Sequence, residues 1–221
     1  MKNKIQVCLI IGSADIPKAK DINFFVKRKN DLVIIAADGG LKNASKLKLI
    51  PHFLIGDFDS VSPHQLKQLP SETKIVKFSG QEDTDIEKSI KYAQSKGCKE
   101  FFITGVLGKR IEHTIGNISI LHKYTNKHTK IRIIGKYSLL EVINSSYKFR
   151  THPGEKISFF SFNKETRIIT NGLKYPLNDE SLFFGERESI SNETTGEMAS
   201  LEIRSGELLL IRDLKTITAN G

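Results

Sequence analysis

Short apolar runs recur along the first part of the chain, each closed by turn-forming residues and followed by a stretch of helical period. "IQVCLIIG", "DLVIIAAD", "HFLIGD", "TKIVKF", "EFFITG" and "KIRIIG" read as strands. "LKNASKL" and "SPHQLKQL" between them read as short helices, the second with Pro63 in its first turn. "TDIEKSIKYAQSKG" is the clearest helix. Thr84 and Glu87 match a capping box, Ile86, Ile90 and Ala93 share one face, and Gly97 stops it. "RIEHTIGNISILHKY" is another, with Ile111, Ile115, Ile118 and Leu121 or His122 expected on its inner stripe. Strands that are apolar throughout, alternating with helices, imply a mostly parallel sheet covered on both faces.

After about residue 136 the pattern changes to period two. "SLLEVIN", "YKFR", "EKISFFSF", "TRIITNG", "SLFFG" and "MASLEIRSGELLLIRD" read as short strands, and Ser205-Gly206 between apolar runs is a hairpin signal. No helix is expected there. The fold class is therefore α/β: a mostly parallel three-layer nucleotide-binding domain over residues 1–135, then a smaller antiparallel β-sandwich over residues 136–221.

Composition narrows the class. The 221 residues are 38% hydrophobic and 27% charged, as in a soluble globular protein. No window approaches the roughly 18 consecutive apolar residues of a membrane span. "MKNKIQVCLIIGSAD" is basic then apolar, but a glycine and an aspartate interrupt it at once, so a buried first strand explains it better than export. Cys8 and Cys98 lack metal-ligand spacing and fit reduced thiols in a cytoplasmic protein. A net charge of +9 raises a nucleic-acid reading, yet the lysines are scattered over polar helix faces and equally suit a polyphosphate ligand.

In an open parallel sheet, ligands bind beyond the carboxyl ends of the strands. "LVIIA" runs into Asp38-Gly39-Gly40, "HFLI" into Gly56-Asp57-Phe58-Asp59, and "KIVKF" into a loop holding Gln81, Glu82, Asp83, Thr84 and Asp85. "FFIT" runs into Gly105 to Arg110. Acids from successive loops thus gather at one rim. Asp57 and Asp59 point the same way if the chain stays extended through Phe58. Crowded carboxylates repel, and Mg²⁺, which prefers oxygen ligands and substrate phosphates, relieves that. Asp57, Asp59, Glu82 and Asp85 are the metal candidates. Gly39, Gly40 and Gly108 would let backbone approach phosphates, and Arg110 would neutralise charge on a transferring group. Taken singly, each acid has a structural reading: "FDSVSP" as an Asx-type turn, Thr84-Asp85 as a helix start. His113 is ambiguous between site and surface, and the remaining histidines show no metal spacing. No phosphate-binding P-loop, dinucleotide fingerprint or nucleophile triad is present.

"ADGGLKNASKL", "PHFLIGDFDSVSP", "QEDTDIEKSI" and "GVLGKRIEHTIGNISIL" resemble, in order and interval, the signature segments of the thiamine pyrophosphokinase family. "TNGLKYPLND" and "SISNETTGEMASLEI" look like its C-terminal thiamine-binding segments. The resemblance implies ATP-dependent conversion of thiamine to thiamine diphosphate with release of AMP and use of Mg²⁺. It also implies a homodimer with thiamine at the subunit interface, and no nucleic-acid or membrane partner. On that basis Asp57, Asp59, Asp85 and Arg110 are catalytic, with Asp59 or Asp85 as acceptor of the hydroxyl proton. Asp38, Gly39, Gln81, Thr84, Arg110, His113, Asn117, Ser191 and Asn192 are substrate-binding. His52, Glu112, Leu41 and Lys109 depart from the family pattern, the second while conserving charge. With no tryptophan, Tyr175, Phe183 and Phe184 are left as aromatics for stacking on thiamine. The other readings are a different Mg²⁺-dependent phosphoryl or nucleotidyl transferase, or a basic nucleic-acid-binding module.

Overall fold

The computed structural model describes residues 6–27, 31–59, 62, 64, 66, 69–78, 80, 82–108 and 110–219. The chain divides into two compact units, Met1–Lys136 and Tyr137–Gly221.

The first unit is a parallel sheet with helices packed on it. Strands β1 (Gln6–Ile11), β2 (Leu32–Ala37), β3 (Phe53–Gly56), β4 (Lys74–Lys77), β5 (Cys98–Thr104) and β6 (Lys130–Ile134) lie in the order β6-β5-β1-β2-β3-β4. Every neighbouring pair within it runs parallel. The chain steps outward from β1 to β4, then returns to place β5 on the other side of β1. That reversal makes a switch point, where the loops leaving β1 and β5 diverge and open a crevice. The inner strands are buried almost throughout, as their apolar runs require. Edge strand β4 leaves Lys74 and Ile75 exposed.

Helices α1 (Ala19–Val26), α2 (Gly40–Lys46), α3 (Asp85–Ser95) and α4 (Ile111–Tyr124) complete the unit. Helix α1 buries only Ile22 and Val26, a stripe too thin to be read from sequence. In α3 the expected capping box is present, Ile86, Ile90 and Ala93 are buried, and Gly97 follows the helix at φ +92°. Helix α4 corrects the expected stripe in its first turns and keeps it at Leu121. Its buried residues are Asn117, Ile120 and Leu121, while Ile111 and Ile115 are 66% and 64% exposed. The helix is rotated because the Asn117 amide donates to the Val106 carbonyl at 2.8 Å, a buried polar bond that an apolar count overlooks. The helix expected over residues 62–69 falls largely outside the described residues.

The second unit is a sandwich of two antiparallel sheets. Strands β7 (Ser138–Ile143), β8 (Tyr147–Arg150), β9 (Lys156–Phe160), β10 (Arg167–Asn171), β11 (Asn178–Ser181), β12 (Ser189–Glu193), β13 (Met198–Ser205) and β14 (Leu208–Asp213) build it. One sheet has the order β12-β9-β14-β7, the other β11-β10-β13-β8. Phe149, Phe159, Ile168, Leu201 and Leu210, drawn from both sheets, share one core. The Ser205-Gly206 turn does not close a hairpin. Strand β13 pairs with β10 and β8, whereas β14 pairs with β7 and β9, so the turn carries the chain between sheets. Glycine is required at 206: φ is +72° and a Cβ there would lie 2.2 Å from Thr166 Oγ1. "SLFFG" is mostly turn rather than strand, with Phe183 bridging to Arg187. A short helix, α5 (Leu214–Thr218), ends the unit where none was expected, its first N–H groups capped when Asp213 accepts from Thr216 N at 2.7 Å.

Candidate active site

The carboxyl rim of the parallel sheet brings together Asp38, Asp57 and Asp85, one carboxylate oxygen of each lying within 4.8 Å of the others. Each arrives from a different loop. Asp38 follows β2 with φ +40°, and its N–H donates to the Ile55 carbonyl at 2.7 Å. Gly56 allows the β3 loop to pass, since a Cβ there would sit 3.0 Å from Asp38 Cβ. Asp85 opens α3 directly after the Thr84 cap, so the capping box fixes where its carboxylate emerges.

The electrostatics are unbalanced. Asp38 is only 9% exposed, and its Oδ1 is buried without a hydrogen-bond partner. A buried carboxylate oxygen left unpaired is costly unless a ligand supplies the missing charge. Burial pushes the Asp85 carboxyl up; Lys88 pulls it down, and the charges of Asp57 and Asp38 push it up again. Hard oxygen donors, like charge and one orphaned oxygen fit a divalent cation such as Mg²⁺.

Asp59 is not in the trio. Phe58 has φ +70°, so the chain is not extended there and the expected alternation fails. Asp57 Oδ1 instead accepts from Asp59 N at 3.3 Å, an Asx-type turn, and Asp59 faces solvent. Glu82 is also exposed and outside the trio. Asp38, read from sequence as a substrate contact, stands inside it. Two non-glycine residues here are left-handed, Asp38 within the trio and Phe58 next to Asp57, a form of strain that concentrates at functional sites.

The other expected residues divide by how committed they are. Gly39 caps α2, and Thr84 Oγ1 accepts from Glu87 N at 3.3 Å. Arg110 is exposed and bonds Glu112 at 2.7 Å; His113 is exposed beside the same carboxylate. Asn117 is tied to the Val106 carbonyl. Gln81 and Lys109 lie outside the described residues. In the β unit, Ser191 is exposed at φ +56° and its N–H donates to Ser158 Oγ at 2.9 Å. Asn192 is 2% exposed, and its amide donates to the Tyr175 carbonyl at 2.6 Å while accepting from Tyr175 N at 3.1 Å. It therefore shapes the turn that presents Tyr175, which is exposed together with Phe184.

Two residues went unnoticed in the sequence. Asn43, buried in α2, donates to the Gly12 and Ala14 carbonyls at 2.8 Å each and so ties α2 to the loop after β1. An asparagine inside a helix was the available signal. Lys88, buried in α3, bonds Asp85 Oδ1 at 3.3 Å; its spacing of three from Asp85 was the clue.

Fold and site together define an α/β unit with a carboxylate site at its strand ends, followed in the chain by an antiparallel sandwich. The family model for the thiamin pyrophosphokinase catalytic domain matches residues 25–134, and that for the vitamin B1 binding domain matches residues 144–208. Thiamine pyrophosphokinase of Bacillus subtilis is 28% identical over 183 residues, covering 80% of this chain and 86% of its own. Thiamin pyrophosphokinase 1 of Caenorhabditis elegans is 26% identical over 192 residues, with coverage of 80% and 77%. The crystal structure of the Bacillus subtilis thiamine pyrophosphokinase matches with a TM-score of 0.81 at 24% identity, over 94% of this chain and 99% of that one. The Candida albicans thiamin pyrophosphokinase structure matches with a TM-score of 0.82 at 17% identity, over 95% and 89%. The chain belongs to the thiamine pyrophosphokinase family. No helix among the described residues is long and apolar enough to cross a membrane.

Proposed function

We propose that the chain transfers the diphosphoryl group of ATP to the hydroxyl of thiamine, giving thiamine diphosphate and AMP. The observation that carries this is the Asp38, Asp57 and Asp85 trio with its unpaired buried oxygen, at the sheet edge where α/β folds take phosphorylated ligands. Those three residues would hold Mg²⁺. When bound, the ion supplies charge neutralisation at the phosphate oxygens.

The protein's own residues do the positioning. The thiamine oxygen attacks the β-phosphorus, the bond from that phosphorus to the oxygen of the AMP leaving group breaks, and the hydroxyl proton leaves. We assign that proton to Asp59, exposed and outside the trio. Arg110, exposed and bonded to Glu112, is available to turn onto the transferring phosphates. Gly39, Thr84, His113 and Asn117 line the substrate side of the rim in this reading, and Gln81 keeps a substrate-binding role on the sequence alone. Ser191 meets the thiamine ring directly, and Asn192 fixes the turn that carries Tyr175.

We also place the protein in the cytoplasm, consistent with two unpaired thiols, Cys8 and Cys98. We assign it a homodimeric state with thiamine at the subunit interface, supported by the exposed apolar Ile111, Ile115, Phe184 and Ile190.

The test is a nucleotide assay with and without thiamine. AMP formed only when both thiamine and Mg²⁺ are added supports the assignment. ADP as product, or AMP release indifferent to thiamine, would overturn it.

A further inference from the structure

Lys88 follows Asp85 by one turn of α3 and is only 8% exposed. Its ammonium donates to Asp85 Oδ1 at 3.3 Å. The same carboxylate lies within 4.8 Å of Asp38 and Asp57. Lysine is rarely buried, and burial is tolerated where an opposite charge compensates it. Here the compensation is incomplete in a specific way. Three carboxylates and one ammonium leave two negative charges, which is the charge one divalent cation cancels. One acceptor of the trio, the buried Asp38 Oδ1, has no hydrogen-bond partner.

We propose that Lys88 is a positioning and specificity-determining residue of the metal site. Its buried ammonium sets the net charge of the carboxylate trio to match a single divalent cation and holds Asp85 Oδ1 in place. This rests on reading the trio as the magnesium site. Without Lys88 the trio would carry one further negative charge in a partly desolvated setting, where Coulomb interactions are strong. It would then grip a divalent cation too tightly and hold Asp85 too loosely. Arginine keeps the charge and a donor for Asp85; methionine keeps the length and removes both.

The experiment is titration of the nucleotide-free full chain with Mn²⁺, followed by electron paramagnetic resonance. The wild-type chain is expected to bind Mn²⁺ at a site that Asp57→Asn abolishes. Lys88→Met should bind Mn²⁺ about tenfold more tightly, as removal of a nearby like charge predicts, and Lys88→Arg should bind as wild type. Thermal unfolding adds a readout that a purely structural lysine would not move: Mn²⁺ should raise the midpoint of Lys88→Met more than that of wild type. Unchanged or weaker Mn²⁺ affinity in folded Lys88→Met overturns the proposal while the Asp57-dependent site stands. Absence of any Asp57-dependent Mn²⁺ binding in wild type overturns the metal reading, and this proposal with it. If Lys88→Met does not fold, Lys88→Gln, which keeps a donor without the charge, is read by the same criteria.

Discussion

Among the described residues, each unit of the chain buries one cation against a carboxylate, and the two pairs are built differently. In the β-sandwich, Arg212 Nε donates to Glu155 Oε1 at 2.6 Å, and a terminal nitrogen donates to Oε2 at 3.0 Å and to the Arg150 carbonyl at 2.8 Å. The guanidinium also lies over the Phe149 ring at 4.6 Å. One positive charge meets one negative charge, with both carboxylate oxygens used. In the α/β unit, Lys88 meets Asp85 through a single longer bond, and two more carboxylates crowd the same spot. A fork-to-fork pair that satisfies itself has no call on anything outside the protein. A pair embedded in excess like charge, with an oxygen left over, is complete only when something else arrives. The first arrangement belongs to the scaffold and the second to a site.

The strongest way to break that contrast is to change each pair and see which property fails. Asp57→Asn should lower the rate of thiamine-dependent AMP formation by on the order of 10³, as losing a charge-stabilising group does. Relieving repulsion within the trio should leave thermal stability unchanged or higher. Asp59→Asn should cut the rate less while also leaving stability intact, because Asp59 stands outside the trio. Steady-state kinetics beside a melting curve checks both; a rate loss that tracks unfolding, or an Asp59 effect exceeding that of Asp57, contradicts the reading.

Glu155→Gln tests the closed pair. It leaves the Arg212 charge buried and uncompensated, which typically costs about 3–5 kcal/mol. Chemical denaturation of the intact chain should show that loss, and the rate per folded molecule should change little. If stability falls by less than about 1 kcal/mol, the pair behaves like an exposed one and the comparison loses its structural half.

Much of this was legible beforehand, and the gaps have identifiable causes. The inner strands of the parallel sheet announce themselves because strands buried on both faces need unbroken apolar runs, as in "IQVCLII" and "FFIT". Helix α3 was readable to its cap and its stop because Thr84, Glu87 and Gly97 act locally. What failed depended on distant partners or on rare backbone angles. Nothing in "DFD" says that a phenylalanine will sit at φ +70° and turn Asp59 out of line. Period alone chose Ile111 and Ile115 for the buried face of α4; the bond from Asn117 to Val106 chose otherwise. The Ser205-Gly206 turn looks the same locally whether it folds a hairpin or changes sheets, and the difference lies in which distant strands β13 and β14 pair with. Asp38 at a strand end was seen, but its role depended on Asp57 and Asp85 converging across the sheet.

A smaller effect sharpens the reading of the β unit. Ser191→Ala should raise the KM for thiamine about tenfold, the worth of one hydrogen bond to a bound ligand, and leave the KM for ATP unchanged. Asn192→Ala should raise it too but also lower stability, because that amide holds both polar groups of the Tyr175 backbone. Equal effects on the two substrates would remove thiamine from this turn.

The smallest expected effect concerns what steadies the trio from below. Glu87 Oε2 accepts from Thr84 N at 3.3 Å, closing the capping box that sets Asp85, while Oε1 accepts from Lys123 Nζ at 2.6 Å and from Tyr124 Oη at 3.3 Å. One carboxylate thus ties the start of α3 to the end of α4. Burial pushes the Glu87 carboxyl up, but the bonds from Lys123 and Thr84 outweigh it and hold the group below its ordinary 4.5. A carboxyl depressed in the folded state stabilises the fold above the unfolded value and loses that contribution as pH falls through the folded one. Glu87→Gln should therefore cost about 1 kcal/mol near neutral pH, the scale of a helix cap plus a half-exposed ion pair. The gap from wild type should close as pH drops below 4.5. Denaturation series at neutral and acid pH measure it, and a gap that persists unchanged into acid would mean that the Glu87 charge does not hold the helix start.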